Sequence, residues 1–441
     1  MRFSSSSVTL LIITIFVLCT TTNIVVGSTT ARPPPVILLN GLAGSSFNAR
    51  LNNAVEPHWI CTTDSKNKWF SIWLSLHQLL PENIDCFFHN IVLQYNTTTK
   101  QYHNAMGVDI DGSVDWGNVG GIQYLDPGLK KVEYYYELIK LLTTKYGYEV
   151  GVNLVGAPYD WRLAADGLST MKTFSGDDSL PYYAKLKKLV ETTYGKNNNQ
   201  RVSIITHSMG GPVALHFLQL QTKEWKDTYL ANFIPTSPPF GGSVNTIRAM
   251  VSGDNFDAPV VKQSIFWPVQ STCASGPWLF PQKNLWSGNE IIVRTKSKNY
   301  TSNDWIELFG DFPSLNNAKS FTVDNNLLEL TLGDDVFSKS PDVSTHVLRG
   351  SGVKTPNGYI YNVDFKDIEM GKSAPPPVEV FNENDGDGTV PNRSLARALV
   401  WRDDLLENKY NFTYNTFNGV THMGILSDQG ALNKIAELLG L

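Results

Sequence analysis

The chain has 441 residues, 17% of them charged and 11% aromatic, with a formal net charge of −5. That length holds a large core in one elaborated domain or two. The mildly acidic balance argues against a nucleic-acid partner gripped through its phosphates, and there is no internal repeat or long low-complexity tract to suggest a solenoid or a disordered chain.

Arg2, the apolar run Val8 to Leu18 and the modest residues Val25-Val26-Gly27 read as a signal peptide over residues 1–27, leaving a mature chain of 28–441. The run is short for a membrane span, and an uncleaved anchor is the alternative. Asn96, Asn299, Asn392 and Asn411 open glycosylation sequons, which suits a secretory route. Cys19 leaves with the signal. Cys61 and Cys86 flank an aromatic-rich segment, and Cys273 reads as a buried, inert thiol.

The prolines of "RPPPVILLNGLAGSS" lead into a short buried strand, Val36 to Leu39, and a Gly-rich turn from Asn40 to Gly44. "KWFSIWLSLHQLLP" follows, where Trp69, Phe70, Trp73, Leu76 and Leu80 can share a helical face. Such a face lies in a membrane interface or packs on the core. "NLVGAPYDWR", "VSIITHSMGG", "ANFIPTSPPFGGS", "VEVFNENDGDGTVP" and "NFTYNTFNGVTHMG" are further strand-and-turn units. Helical patterns such as "YYYELIKLLTTKYGY" and "YYAKLKKLVETTYGK" lie between them. Short apolar strands alternating with amphipathic helices predict a mostly parallel α/β sheet with helices on both faces. Ligands bind beyond the strand C-termini in such sheets, so these turns gather at one edge.

In "THSMGG" an apolar strand stops at Ser208, and small residues open the helix that follows. This is the G-x-S-x-G nucleophile elbow, with Thr206 in place of the first Gly. A serine cap at a helix start is the plainer reading of those residues alone. A serine nucleophile needs a base and a group that orients the base. In the α/β-hydrolase order these follow as acid, then His. After Ser208, His216 sits in the elbow helix and His346 in a strand-like run. His422 lies in a loop before the last amphipathic helix and is the expected base. Asp387, in the tight turn after "VEVFNEN", is the expected acid, with Asp385 as the alternative. The spacing of a full calcium loop is absent there, and neither metal nor cofactor is expected. The backbone N–H groups of Leu42 and Met209 are the expected oxyanion donors.

"PVILLNGLAGS", "WFSIWL", "IDCFFHN", "GAPYDWR", "THSMGG", "PFGGS", "SGDN", "PWLFP", "DGDGTV" and "THMGIL" together resemble the lecithin:cholesterol acyltransferase family, including its lysosomal phospholipase A branch. They span nearly all of the mature chain. The resemblance implies an acyl-enzyme on Ser208 completed by Asp387 and His422. It implies a Cys61–Cys86 disulfide around a membrane-binding subdomain at residues 56–90, and a lid at 251–276. This chain departs from the family at Asn40, where Val-Pro is common before the Gly, and at Leu42, where Asp or Cys is common in animal members. It also lacks a later Cys pair, which leaves Cys273 without a family role.

The leading expectation is therefore a phospholipase A or lipid O-acyltransferase. Its partners are a phospholipid membrane or lipoprotein surface, a phospholipid acyl donor, and water or a lipid alcohol as acceptor. Trp69, Phe70 and Trp73 are the expected membrane-touching residues, and the lysosome or the extracellular space is the expected location. A soluble carboxylesterase or thioesterase of the same fold is one alternative, and the apolar subdomain argues against it. A lipid-binding protein with a dead site is another, and the intact Ser, Asp and His argue against that.

Overall fold

A computed structural model describes residues 32–126, 130, 132–176, 180–255, 262–330 and 339–441. The expected signal peptide lies outside these residues. Val36–Leu39 is apolar at all four positions and buried on both faces. Such a strand is stable only under helices on both sides. It belongs to a six-stranded sheet whose order is Phe412–Asn418, Thr345–Ser351, Leu230–Thr236, Val202–His207, Val36–Leu39 and Leu154–Gly156. Every pairing in it is parallel.

Side chains alternate across a strand, so neighbours serve opposite faces. Ile204 packs into a cluster with Leu186 and Val190 of helix Tyr182–Lys196 and with Val213 and Phe217 of helix Gly210–Gln219. Ile205 packs into the other cluster, with Leu138 and Leu142 of helix Tyr136–Tyr146 and Leu432 and Ile435 of helix Gln429–Leu438. From Val36–Leu39 the chain moves to one neighbouring strand and then to the other. The strand order thus reverses there, and sheets of this kind bind ligands beyond the strand ends at that point. The turn after Leu39 and the elbow after His207 both leave the C-terminal ends of these adjacent strands.

Two sequence expectations need correction. The strand before Asp387, Glu379–Glu383, lies outside the main sheet. It pairs antiparallel with Thr355–Ile360 in a four-stranded side sheet. Its residues, Glu-Val-Phe-Asn-Glu, are half-buried or exposed throughout, which rules out a slot covered on both faces. Thr345–Ser351, buried at every position, takes that slot.

The second correction concerns "KWFSIWLSLHQLLP", which forms no helix across its aromatic residues. Phe70–Trp73 is a strand paired antiparallel with Phe47–Leu51, followed by a 3-10 turn at Leu76–Leu79. Phe47 pairs with Trp73 but Asn48 with Ser71, so a bulge at Ile72 breaks the strand's alternation, and Ile72 and Trp73 are both buried. Within the expected lid, Phe266, Trp267, Val269, Cys273 and Ala274 are buried in the core, while residues 256–261 lie outside those described. Among the described residues no helix is long and apolar enough to cross a membrane.

Candidate active site

Ser208 follows directly on the strand Val202–His207 and has φ of 53°. A non-glycine residue is strained there, and the strain holds the hydroxyl out at the head of the sharp turn. The neighbours must be small. A Cβ on Gly210 would stand 2.5 Å from the Asn40 carbonyl oxygen, and one on Gly41 would stand 2.7 Å from Ser208 Cβ. Thr206, the departure from the elbow pattern, is fully buried within the sheet, in register with Leu39 and Pro235. It is accommodated as a core residue and does not crowd Ser208.

The three residues expected as nucleophile, base and acid come together. His422 Nε2 lies 2.9 Å from Ser208 Oγ, and its Nδ1 lies 2.8 Å from Asp387 Oδ2. The Asp387 carboxylate accepts at Nδ1, so Nδ1 carries the proton and Nε2 presents its lone pair to the serine hydroxyl. Asp387 is 0% exposed. Burial alone raises its pKa, but the His422 ring and the Thr389 and Val390 N–H groups outweigh burial and hold it below the usual carboxylate range. Asp385 is differently engaged. It accepts from Gly352 N–H at 2.9 Å, pairs with Arg349 at 3.4 Å and has a 45% exposed side chain, so it does not serve His422.

Aromatic residues hold the turn beside Ser208. Tyr135 donates to the Leu39 carbonyl, Tyr159 to the Asn40 carbonyl and Trp73 Nε1 to the Ala43 carbonyl, at 2.8, 2.8 and 3.1 Å. Gly41 N–H donates to the Tyr134 hydroxyl at 2.8 Å. Burial raises the pKa of Tyr135 and Tyr159, which keeps them protonated as donors. Met209 is buried directly after Ser208, and Leu42 is half-buried in the turn. Among the described residues neither Leu42 N–H nor Met209 N–H donates to a protein acceptor in a loop or turn.

The segment between the cysteines meets its expectations unevenly. Cys61 and Cys86 are disulfide-bonded. Trp73 is a correction: it is 3% exposed, packs edge-on against Trp161 and Phe266, and supports the Ala43 turn, so it does not reach a membrane. Trp69 is exposed but stacks under the Arg50 guanidinium, and Phe70 is half-buried against the core. Just before the loop that the disulfide closes, Trp59 is 95% exposed, with exposed Ile60 beside it. Sequence reading missed Trp59 because "EPHWIC" is too short to show a period. The buried Arg162 of "APYDWR" pairs with Asp160 at 2.6 Å and donates to the Ile91 carbonyl, tying this segment to the sheet edge. Cys273 is buried, and burial pushes its thiol up to about 12. Asn96, Asn299 and Asn411 are exposed.

Comparison with known proteins fits this geometry. Residues 69–332 and 329–429 match the model of the lecithin:cholesterol acyltransferase family. The chain is 31% identical over 404 residues to a Bos taurus protein named lysosomal phospholipase A and acyltransferase, covering 91% of this chain and 90% of that one. It is 30% identical over 404 residues to the Homo sapiens protein of the same name, covering 91% and 89%. It is also 30% identical over 390 residues to a Gallus gallus phosphatidylcholine-sterol acyltransferase, covering 88% and 86%. The chain belongs to the lecithin:cholesterol acyltransferase family.

Proposed function

We propose that the protein is a phospholipase A and lipid O-acyltransferase that forms an acyl-enzyme on Ser208. The observation that carries this reading is the unbroken Asp387–His422–Ser208 hydrogen-bond chain beside the Gly41 turn, in a member of this family. Asp387 fixes the His422 proton on Nδ1. Nε2 then takes the Ser208 proton as Oγ attacks an acyl-ester carbonyl. Negative charge grows on the carbonyl oxygen, where the Leu42 and Met209 N–H groups receive it. His422 returns the proton to the departing lysophospholipid oxygen, and the acyl chain stays on Ser208. Water or a lipid alcohol then attacks in its turn with His422 as base. The product is a free fatty acid or a new ester.

The acyl donor lies in a bilayer or lipoprotein surface, so docking precedes chemistry. Docking is assigned to residues 56–90, through the exposed Trp59 and Ile60 just before Cys61, together with Trp69 and Phe70. Each fully inserted side chain contributes about 1.5–3 kcal/mol. The disulfide and the exposed sequons at Asn96, Asn299 and Asn411 support a secretory route ending in the lysosome or outside the cell.

Phosphatidylcholine liposomes, with and without a lipid alcohol, test the reading when the products are resolved by mass spectrometry. The expected result is lysophospholipid with fatty acid or a new ester, and none from Ser208→Ala. Liposome binding without acyl release would instead make this a lipid-binding protein. Turnover of soluble esters alone would make it a carboxylesterase.

A further inference from the structure

His207 immediately precedes Ser208, yet its ring is buried. Its Nε2 lies 2.9 Å from the main-chain carbonyl oxygen of His422, and its Nδ1 lies 2.6 Å from the Tyr134 hydroxyl. A carbonyl only accepts, so Nε2 bears the proton. Burial, reinforced by neighbouring His422, lowers the His207 pKa to about 3 and keeps the ring neutral. Nδ1 is therefore an acceptor, and the Tyr134 hydroxyl must donate to it. The Tyr134 oxygen then accepts Gly41 N–H at 2.8 Å. Every hydrogen is thereby assigned. Gly41 N–H donates to Tyr134, Tyr134 donates to His207, and His207 donates to the His422 carbonyl.

We infer that Tyr134 and His207 are positioning residues, a directed hydrogen-bond chain that sets the oxyanion turn and the His422 loop relative to Ser208. Neither side chain touches the substrate. The chain acts through backbone: one end fixes the peptide just before Leu42, and the other fixes the peptide of the base itself. The opposite side of His422 is held as well, because its N–H donates to the Asp387 carbonyl at 2.7 Å. Aromatic packing keeps the links in line, with the Tyr134 and His207 rings 5.5 Å apart and the His207 and His422 rings 4.9 Å apart. A misplacement near 1 Å at such a site costs on the order of 10²-fold in rate. The assignment rests on Ser208, His422 and Asp387 being the reacting centre.

The test compares wild type, Tyr134→Phe, His207→Gln, the double variant and Ser208→Ala on a short-chain soluble ester, which needs no docking. Tyr134→Phe deletes one oxygen and keeps the ring. The expected result is a kcat lowered about 10- to 100-fold with KM within about threefold. Fluorophosphonate labelling should slow in parallel, and the double variant should lose little more than the worse single one. A folded Tyr134→Phe with kcat within about twofold of wild type, while Ser208→Ala is dead, overturns this inference alone. An active Ser208→Ala overturns the reading beneath it. Nitrogen NMR of the wild-type protein keeps the inference exposed should a variant not fold. His207 must appear as the neutral Nε2–H tautomer at neutral pH, and an Nδ1–H or doubly protonated ring contradicts the chain.

Discussion

His422 and Asp387 are joined twice. The ring Nδ1 meets Asp387 Oδ2 at 2.8 Å, and the His422 main-chain N–H meets the Asp387 main-chain carbonyl at 2.7 Å. The second bond survives any change to the Asp387 side chain, so Asp387→Asn should leave the loop in place and remove only the carboxylate. The kcat is then expected to fall roughly 10³–10⁴-fold, as for other triad acids whose loss frees the wrong tautomer. Asp385→Asn should change kcat only a few-fold, because that carboxylate serves Gly352 and Arg349. Steady-state kinetics on a soluble ester separates the two, and the reverse ranking would make Asp385 the orienting group.

The same carboxylate sets a pH dependence of stability. Its folded-state pKa is held below the unfolded value, so folding favours the ionised form. That contribution is complete above the unfolded pKa of about 4 and is lost as pH falls through the folded value. Denaturant titrations between neutral pH and pH 3 should show a shallower acid decline for Asp387→Asn than for wild type. Identical slopes would show that the ionised Asp387 carboxylate does not stabilise the fold.

Gly41→Ala tests the closeness of the turn to the nucleophile. The added Cβ would stand 2.7 Å from Ser208 Cβ and 3.1 Å from the His207 carbonyl oxygen, so the turn must shift. A shift approaching 1 Å displaces the oxyanion donors and should lower kcat on the order of 10²-fold. Measured kinetics near wild type would mean that the turn is not part of the site.

Docking and core roles within residues 56–90 separate by substitution. A Trp59→Ser/Ile60→Ser variant should keep its melting temperature and its short-chain esterase rate while losing liposome sedimentation and liposome turnover, the latter by about tenfold or more. Trp73→Ser should instead destabilise the protein by about 3–5 kcal/mol and weaken both activities, because Trp73 is a core residue that also holds the Ala43 carbonyl. Retained liposome binding by the Trp59/Ile60 variant would place docking elsewhere.

The contrast between Trp59 and Trp73 shows where sequence reading stops. Val36–Leu39, Val202–His207 and the elbow were legible because an unbroken apolar run followed by small residues has few other uses. His422 and Asp387 were legible by order along the chain. Trp73 was not, since a four-residue aromatic stretch suits a helix face and a strand alike. Glu379–Glu383 is a strand as expected but belongs to the side sheet, and its two glutamates mark the exposed slot it occupies. The Tyr134–His207 link joins residues 73 positions apart, and local pattern carries no signal for it.

The most direct test of the central claim is mass spectrometry of the protein quenched during turnover of phosphatidylcholine liposomes, with peptide mapping of any added acyl mass. The account predicts one acyl ester on Ser208, abolished in Ser208→Ala and trapped more strongly when the acceptor is withheld. Acyl mass on another residue, or full phospholipid turnover by Ser208→Ala, would contradict it.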